Sequence, residues 1–257
     1  MPFATAAGRR LAYEWVGEAL AGKPTLVFLH EGLGSIRQWR DFPAKVAAAT
    51  GCRALLYDRY GYGQSDVLEE ERRPVSFMHE EGLVSLGALL ATLGVQEPIL
   101  IGHSDGASIA LIHAGASNPV RGVVAMAPHV FIEPLCLTSI ANAAHAFENT
   151  DLPEKLGRYH RDVRKAFYGW ADVWLDPEFK GWDIRQDYLP QIRCPVLAIQ
   201  GYDDEYGTMA QLDEIARRVE ACELLKLEDC GHAPFREQPE KTLEAVARFI
   251  QKSGTGT

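Results

Sequence analysis

A serine stands between two glycines in the stretch G-H-S-D-G at residues 102–106, directly after an apolar run and before a run of small residues. This order predicts a strand, a sharp turn and a helix, with Ser104 at the turn. A sharp turn needs glycine here because the backbones approach closely, and the following helix directs N–H groups toward a developing negative charge. The setting makes Ser104 a candidate nucleophile.

A serine hydroxyl is a poor nucleophile at neutral pH and needs a neighbouring base, usually a histidine that an acid orients. His232 lies in D-C-G-H-A-P at residues 229–234, just after the last apolar run of the chain. A flexible Gly-His loop at this place can bring an imidazole over the carboxyl edge of a sheet. We therefore predict that His232 is the general base.

Three carboxylates follow another apolar run, in the stretch G-Y-D-D-E at residues 201–205. Asp204 is the predicted acid that orients the histidine, and Asp203 is the alternative. The three catalytic residues then occur in the chain order Ser, Asp, His.

Short apolar runs alternate with helix-compatible stretches along most of the chain. Runs that are apolar throughout indicate strands covered on both faces, and the alternation predicts an α/β fold, a mostly parallel twisted sheet of about eight strands flanked by helices. Candidate strands are residues 10–16 (an antiparallel edge), 25–29, 54–57, 98–101, 122–127, 196–200 and 224–227; candidate helices are residues 39–49, 80–93, 104–116, 209–219 and 239–252.

The alternation stops after the sixth strand of the predicted sheet, where a long segment has no candidate strand and many aromatic residues. We expect this segment to form a helical cap, or lid, over one edge of the sheet. Its aromatic side chains could line a ligand cavity or attach the cap to the body. The predicted division is a core at residues 1–127 and 191–252, a cap at 128–190 and a flexible tail at 253–257.

The composition restricts the classes of partner. The chain has 257 residues and 26 Lys and Arg against 35 Asp and Glu, a net charge of −9 that disfavours nucleic acid and an anionic membrane surface. No apolar run approaches the roughly 20 residues that span a bilayer, and the N-terminus lacks the apolar region of a secretory signal. The five cysteines have no CxxC pair, so we expect reduced thiols in a cytoplasmic protein and no structural zinc site. The sequence has no G-x-x-x-x-G-K-[ST] or H-E-x-x-H motif and no complete G-x-G-x-x-G, so we expect no cofactor and no metal.

Several stretches together resemble the α/β-hydrolase fold family. They are H-E-G-L-G-S at residues 30–35, D-R-Y-G-Y-G-Q-S at residues 58–65, the glycine-flanked turn of Ser104 and the Gly-His loop. The resemblance extends from the edge strand to the final helix. It identifies the chain as similar to small-molecule esterases, enol-lactonases and hydrolases of ring-cleavage products.

The resemblance also implies an oxyanion hole. The family places one donor N–H two residues after the histidine of the first stretch, which is Gly32 here, with Leu33 as the alternative. The second N–H comes from the residue after the nucleophile, Asp105. The family usually has His-Gly where this chain has His30 and Glu31, so the Glu31 side chain either points away from the site or contacts substrate.

The function that the resemblance implies is hydrolysis of a small-molecule carboxylic ester or lactone through an acyl-enzyme intermediate, without a cofactor, by a monomer or homodimer. Hydrolysis of a C–C bond in a vinylogous diketone, thioester hydrolysis and ligand binding without catalysis are the alternatives. Asp105 and Glu31 could also attract a substrate amine. Epoxide hydrolysis and dehalogenation are disfavoured because those relatives carry Asp in place of Ser104. The expected pocket residues are Glu31, His103, Tyr159, Trp170 and Trp174.

Overall fold

Six parallel strands and an antiparallel pair at one edge form a single sheet in the computed structural model, which describes residues 1–70 and 72–254. The strand order is β1-β2-β4-β3-β5-β6-β7-β8. The predicted α/β-hydrolase fold class is confirmed. The strands are β1 (Phe3–Ala6), β2 (Arg9–Val16), β3 (Leu26–Leu29), β4 (Ala54–Tyr57), β5 (Ile99–His103), β6 (Gly122–Met126), β7 (Val196–Gly201) and β8 (Cys222–Leu227).

The first strand, β1, was not among the candidate strands. It pairs with β2 through a two-residue turn at Ala7 and Gly8, whose φ angles are +49° and +78°. Two positive φ angles are typical of the type I′ turn, which matches the twist of a hairpin. Four residues alternating in burial give too little pattern to predict a strand without its partner.

Helices cover both faces of the sheet, and successive residues of the central strands pack on opposite sides. Leu26 and Phe28 of β3 face the layer of α1 and α10, whereas Val27 and Leu29 face the layer that contains α3 and α4. Every residue of β3 to β7 is buried, as expected for strands covered on both faces. The helices are α1 (Phe42–Thr50), α2 (Phe77–Glu80), α3 (Leu86–Thr92), α4 (Asp105–Gly115), α5 (Pro134–Asn149), α6 (Leu152–Gly157), α7 (Val163–Trp174), α8 (Ala210–Arg218), α9 (Pro234–Glu237) and α10 (Pro239–Gly254).

Three helices differ from the sequence prediction by two residues or more. Helix α1 begins at Phe42, three residues after the expected start at residue 39. The helix expected over residues 80–93 is divided by a π-helical segment, Glu81–Ser85, between α2 and α3. Helix α10 continues through Gly254, two residues into the predicted tail, and residues 255–257 lie outside the described part of the chain. Within that described part, none of the helices has the length and apolar character needed to cross a membrane.

The segment between β6 and β7 contains α5, α6 and α7 and has one isolated bridge, between Phe131 and Asp183. Its aromatic side chains mainly pack on each other and on the body. Phe147 and Phe167 stack with ring centroids 3.9 Å apart, and the ring of Phe179 lies near that of Phe77 of the body, with 6.0 Å between the centroids. The division into core and cap at residues 128–190 stays a prediction, and we keep the name cap for this segment.

His160 joins the cap to two loops of the body. Its Nδ1 accepts a hydrogen bond from the backbone N–H of Gly63 at 3.0 Å, and its Nε2 donates to the backbone carbonyl of Leu33 at 2.9 Å. One nitrogen accepts and the other donates, so the ring is neutral in this arrangement. Burial accordingly lowers the pKa of His160.

The turn between β5 and α4 is too crowded for side chains at its two glycines. A Cβ atom at Gly106 would overlap the carbonyl oxygen of Leu29, and one at Gly102 would overlap the carbonyl oxygen of Gly106. Ser104, between them, has φ +53° and ψ −121°. A non-glycine residue with positive φ is strained and persists only where its surroundings hold it.

We expect Gly106→Ala to lower the free energy of unfolding by about 3 kcal/mol, because the added methyl group meets backbone atoms that cannot move aside. Gly157→Ala is the matched control. Gly157 ends α6, is exposed and has no atom within 4 Å of an added Cβ, so alanine there should leave stability unchanged or raise it slightly. Urea denaturation followed by circular dichroism measures both; equal stabilities would contradict the role given to the crowded turn.

Candidate active site

The loops after β3, β5, β6, β7 and β8 meet at the carboxyl edge of the parallel strands, where ligands bind in sheets of this kind. Ser104 occupies the N-cap position of α4 and donates its backbone N–H to the carbonyl of Met126 at 2.9 Å. The residue is 7% exposed. Strand register therefore fixes the backbone of Ser104 at the point where α4 begins.

The His232 imidazole and the Asp204 carboxylate form a hydrogen bond, with 2.8 Å between Nδ1 and Oδ1. Asp204 is buried and also accepts the backbone N–H of Tyr206 at 2.8 Å, whereas the Asp203 side chain is exposed. Since Nδ1 carries the shared proton, Nε2 is left as an acceptor, which is the tautomer that a general base requires. Of the two candidate acids, the structure thus brings Asp204, and not Asp203, to the histidine.

The electrostatics of this pair favour its charged forms. Burial lowers the pKa of His232, but the charge and hydrogen bond of Asp204 outweigh burial and raise that pKa above its ordinary value. Burial raises the pKa of Asp204, and the charge of His232, their hydrogen bond and the Tyr206 N–H together lower it. The carboxylate is therefore placed to stabilise an imidazolium.

In the loop at residues 30–35, here called the Gly32 loop, the peptide group between Glu31 and Gly32 is fixed by three hydrogen bonds to its carbonyl oxygen. The carbonyl of Glu31 accepts from His30 Nδ1 at 2.8 Å, from Arg59 Nη2 at 2.9 Å and from the Gly34 N–H at 3.0 Å. In a trans peptide the C=O and the next N–H point in opposite directions. The N–H of Gly32 consequently points away from these donors, and Gly32 borders the same cavity as Ser104.

Four ionisable side chains lie buried beneath this loop, and we call them the buried charge cluster: Arg59, Arg73, Glu81 and Asp105. Arg59 is fully buried, with Nη1 3.0 Å from Glu81 Oε1 and Nη2 3.7 Å from Asp105 Oδ2. Neither carboxylate oxygen of Asp105 has a hydrogen bond among the described residues. Burial raises the pKa of Asp105 to about 6 although Arg59 opposes the rise.

A cavity of about 110 Å³ lies between the Gly32 loop, the Ser104 turn and the cap. Trp170 of α7 packs directly against Gly32, where a Cβ would overlap its indole ring. The predicted site residues that border the cavity are Glu31, Gly32, Leu33, Ser104, Asp105, Trp170, Trp174 and His232.

Two expected pocket residues do not border this cavity. The His103 ring lies beneath the His232 loop, defined here as residues 228–233, and its Nε2 is 2.7 Å from the carbonyl oxygen of His232. Tyr159 lies between α6 and α7, and the Arg37 guanidinium lies over its ring, 5.7 Å from the ring centroid. The aromatic pattern of the cap did not reveal which rings face inward.

Four residues that border the cavity were missed from the sequence: His129, Cys136, Ile140 and Tyr206. Cys136 and Ile140 lie four residues apart on α5 and therefore share one face. His129 follows β6 at the carboxyl edge of the sheet, a position that could have indicated it. Burial lowers the pKa of His129 to about 3, so its ring is neutral.

The remaining donor sets do not indicate a metal. In residues 1–70 and 72–254, no three His, Cys, Asp or Glu side chains are grouped to hold a metal ion. All five cysteines are free thiols.

Comparison with known proteins gives one family. A model described as the alpha/beta hydrolase family matches residues 26–245. The chain belongs to the alpha/beta hydrolase family. Proline iminopeptidase of Lactobacillus helveticus is 27% identical, over 98% of this chain and 97% of that protein.

Solved structures of other alpha/beta hydrolases have the same fold. The enol-lactonase of Burkholderia xenovorans LB400 superposes with a TM-score of 0.74 at 21% identity, covering 97% of this chain and 99% of that chain. A carboxylesterase structure from Nitrososphaera gargenis gives 0.79 at 18% identity, covering 98% of each chain. The names of these relatives refer to different substrates, so family membership does not identify the substrate of this chain.

We expect NMR titration of the imidazole signals to give His232 a pKa above about 6.5 in the wild type, and a pKa below that value in Asp204→Asn. The carboxylate favours the imidazolium, and without its charge burial dominates. Asp203→Asn is the matched control because its side chain is exposed. An equal shift in both variants would mean that general surface charge, rather than the 2.8 Å contact, sets this pKa.

Proposed function

We propose that the protein is a serine hydrolase that cleaves a small carboxylic ester or lactone by acyl transfer. The observation that carries the proposal is the His232–Asp204 hydrogen bond of 2.8 Å beside a cavity that Ser104 also borders. A base, an acid that orients it and a serine at a strained turn are the parts that nucleophilic catalysis by serine requires.

In the first step Ser104 Oγ attacks the substrate carbonyl carbon while His232 Nε2 takes the hydroxyl proton. Asp204 holds the imidazolium. The carbonyl oxygen becomes an oxyanion that accepts the N–H groups of Gly32 and Asp105, each worth about 3 kcal/mol in comparable sites. Leu33 N–H is the alternative first donor. The intermediate collapses as the C–O bond of the ester breaks and His232 returns its proton to the leaving alkoxide.

In the second step water attacks the acyl-enzyme. His232 removes a proton from the water, the same oxyanion position is used again, and the acid leaves as Ser104 regains its proton. The residues named here supply all the proton transfers, so the proposed reaction needs no cofactor.

The size and lining of the cavity support a small substrate. Its volume of about 110 Å³ is below the usual range of about 300–1,000 Å³ for ligand pockets. Ile140, Trp170 and Trp174 provide apolar surface for a short acyl or aromatic group. A C–C bond in a vinylogous diketone, a thioester, or a ligand that is bound and not cleaved are the other outcomes to be tested.

A substrate with an amine is the second candidate, and the Asp105 carboxylate, which lacks a hydrogen bond within the described residues, favours it. Asp105 borders the cavity, and neither of its buried carboxylate oxygens has a hydrogen bond in the part of the chain that the structure describes, while Arg59 lies 3.7 Å from Oδ2. A buried carboxylate gains most from a partner that is charged and donates hydrogen bonds, such as a substrate ammonium group. The Lactobacillus helveticus relative is named a proline iminopeptidase, which agrees with an amine-bearing substrate.

We further propose a cytoplasmic location and a small-molecule partner in place of nucleic acid or membrane. Five free thiols suit a reducing compartment. The net charge of −9 disfavours polyanionic partners.

We expect the wild type to hydrolyse short p-nitrophenyl esters or an enol-lactone, and Ser104→Ala to reduce kcat by at least about a thousandfold. A fluorophosphonate probe should label the wild type at Ser104 and leave this variant unlabelled. Ser117→Ala, at an exposed serine remote from the site, is the control. Diketone cleavage with no ester turnover would change the assignment to C–C hydrolysis, and silence on all substrates without labelling would favour a binding protein.

We expect Asp105→Asn to separate amino esters from plain esters. With p-nitrophenyl esters of an α-amino acid and of its deamino analogue, the variant should lose at least about tenfold in kcat/KM on the amino ester only. The wild-type preference should also fall as the pH is lowered through about 6, where Asp105 takes up a proton. Equal losses on both esters would mean that Asp105 supports the Ser104 turn and binds no amine.

A further inference from the structure

His103, which precedes the nucleophile, faces a hydrogen-bond acceptor on each ring nitrogen. Its Nε2 is 2.7 Å from the carbonyl oxygen of His232, and its Nδ1 is 3.5 Å from Oε2 of Glu31. The Nε2 must carry a proton because a carbonyl oxygen can only accept. The Nδ1 lies within ion-pair distance of the Glu31 carboxylate and has no hydrogen bond within the described residues. The residue is 3% exposed.

Glu31 stands where the related family usually has glycine, and its carboxylate is engaged by the protein itself. Beside His103, it lies 3.7 Å from Nη2 of Arg236 on α9. Burial would raise the pKa of the Glu31 carboxyl, but the His103 contact and the positive charge of Arg236 outweigh burial and hold that pKa well below its usual range. Glu31 is therefore a carboxylate that faces its own ion pairs.

We propose that Glu31 and His103 are positioning residues, in which the Glu31 carboxylate holds the His103 ring so that it fixes the His232 main chain relative to the Gly32 loop and the Ser104 turn. The proposal rests on the proposed function, because it assigns these two residues to the same reaction. It joins the three loops that carry the oxyanion donor, the nucleophile and the base.

The backbone on both sides of His232 is held in a way that makes this tether complete. The carboxylate of Glu237 accepts the N–H of Gly231 at 2.7 Å and the N–H of Ala233 at 2.9 Å. The Ala233 N–H and the His232 carbonyl belong to one peptide group, which is therefore held from α9 by Glu237 and from the end of β5 by His103. Loss of the His103 contact would leave this peptide held from α9 alone and allow the imidazole to shift relative to Ser104, and a misplacement of about 1 Å can cost a hundredfold in rate.

A double-mutant cycle on turnover of a neutral p-nitrophenyl ester tests the proposal. Glu31→Gln keeps the shape of the side chain and removes its charge, and His103→Phe keeps a ring among Trp39 and Phe235 and removes both nitrogens. Each should lower kcat about 10–100-fold with KM changed less than about twofold. The double variant should be no slower than the slower single variant, because both act through one contact.

Glu228→Gln is the matched control, since it removes the same charge from an exposed position on the His232 loop. It should leave kcat unchanged. Unchanged kcat in Glu31→Gln, losses that multiply in the double variant, or a loss confined to the KM of an amino ester would each overturn the proposal. The last result would make Glu31 a substrate-binding residue.

An NMR titration separates failure of this proposal from failure of the proposed function, because it needs no turnover. The negative charge of Glu31 is one of the causes that raise the pKa of His232. The titratable groups that face His232 are Asp204, Glu205 and Tyr206 after β7, His129 after β6, His103 and Glu31. Glu31→Gln should lower that pKa and speed amide exchange at Ala233. If the wild type hydrolyses no ester but Glu31→Gln shows both changes, the proposed function is wrong and the positioning contact stands. If the wild type is active and Glu31→Gln shows neither change, the proposed function stands and the positioning contact is wrong.

Discussion

The close approach of two backbones at the start of α4 is the constraint on which the rest of the site depends. Gly102 and Gly106 leave no room for a side chain because the backbones of β3, β5 and α4 are in direct contact there, and Ser104 between them has a positive φ. Strain of this kind costs about 1–3 kcal/mol and is sustained only by surrounding structure. Here the surroundings are strands buried on both faces, whose parallel register also brings the His232 and Asp204 loops to the same edge.

The sequence carried enough information to predict the fold class and the residues at the ends of strands. Ser104, Asp204 and His232 each follow an apolar run, and the chemistry of each residue type is distinctive. The side chains that approach from the cap were harder to predict because helical spacing gives a face but not the direction in which that face packs. Trp170 borders the cavity and Tyr159 does not, and nothing in their spacing distinguishes the two.

The buried charge cluster is a second feature that spacing could not predict. Arg59 is more than 20 residues from both Glu81 and Asp105 in sequence, and it also donates to the carbonyl of Glu31. Burying charges costs free energy that an apolar core would not, and in some proteins buried ionic groups define one local geometry. In this protein the geometry so defined is that of the peptide before Gly32, which orients the proposed oxyanion donor.

The contact of His160 with the body limits how freely the cap could be exchanged for the cap of another protein. Its partners, the Gly63 N–H and the Leu33 carbonyl, are main-chain groups that any body of this shape would present. The specific half of the joint lies entirely in the cap. A cap grafted from another protein would hold the Gly32 loop in place only if it brought a neutral side chain that can both accept and donate a hydrogen bond at that point. The Gly32 loop belongs to the body in sequence, but its position depends on a residue of the cap.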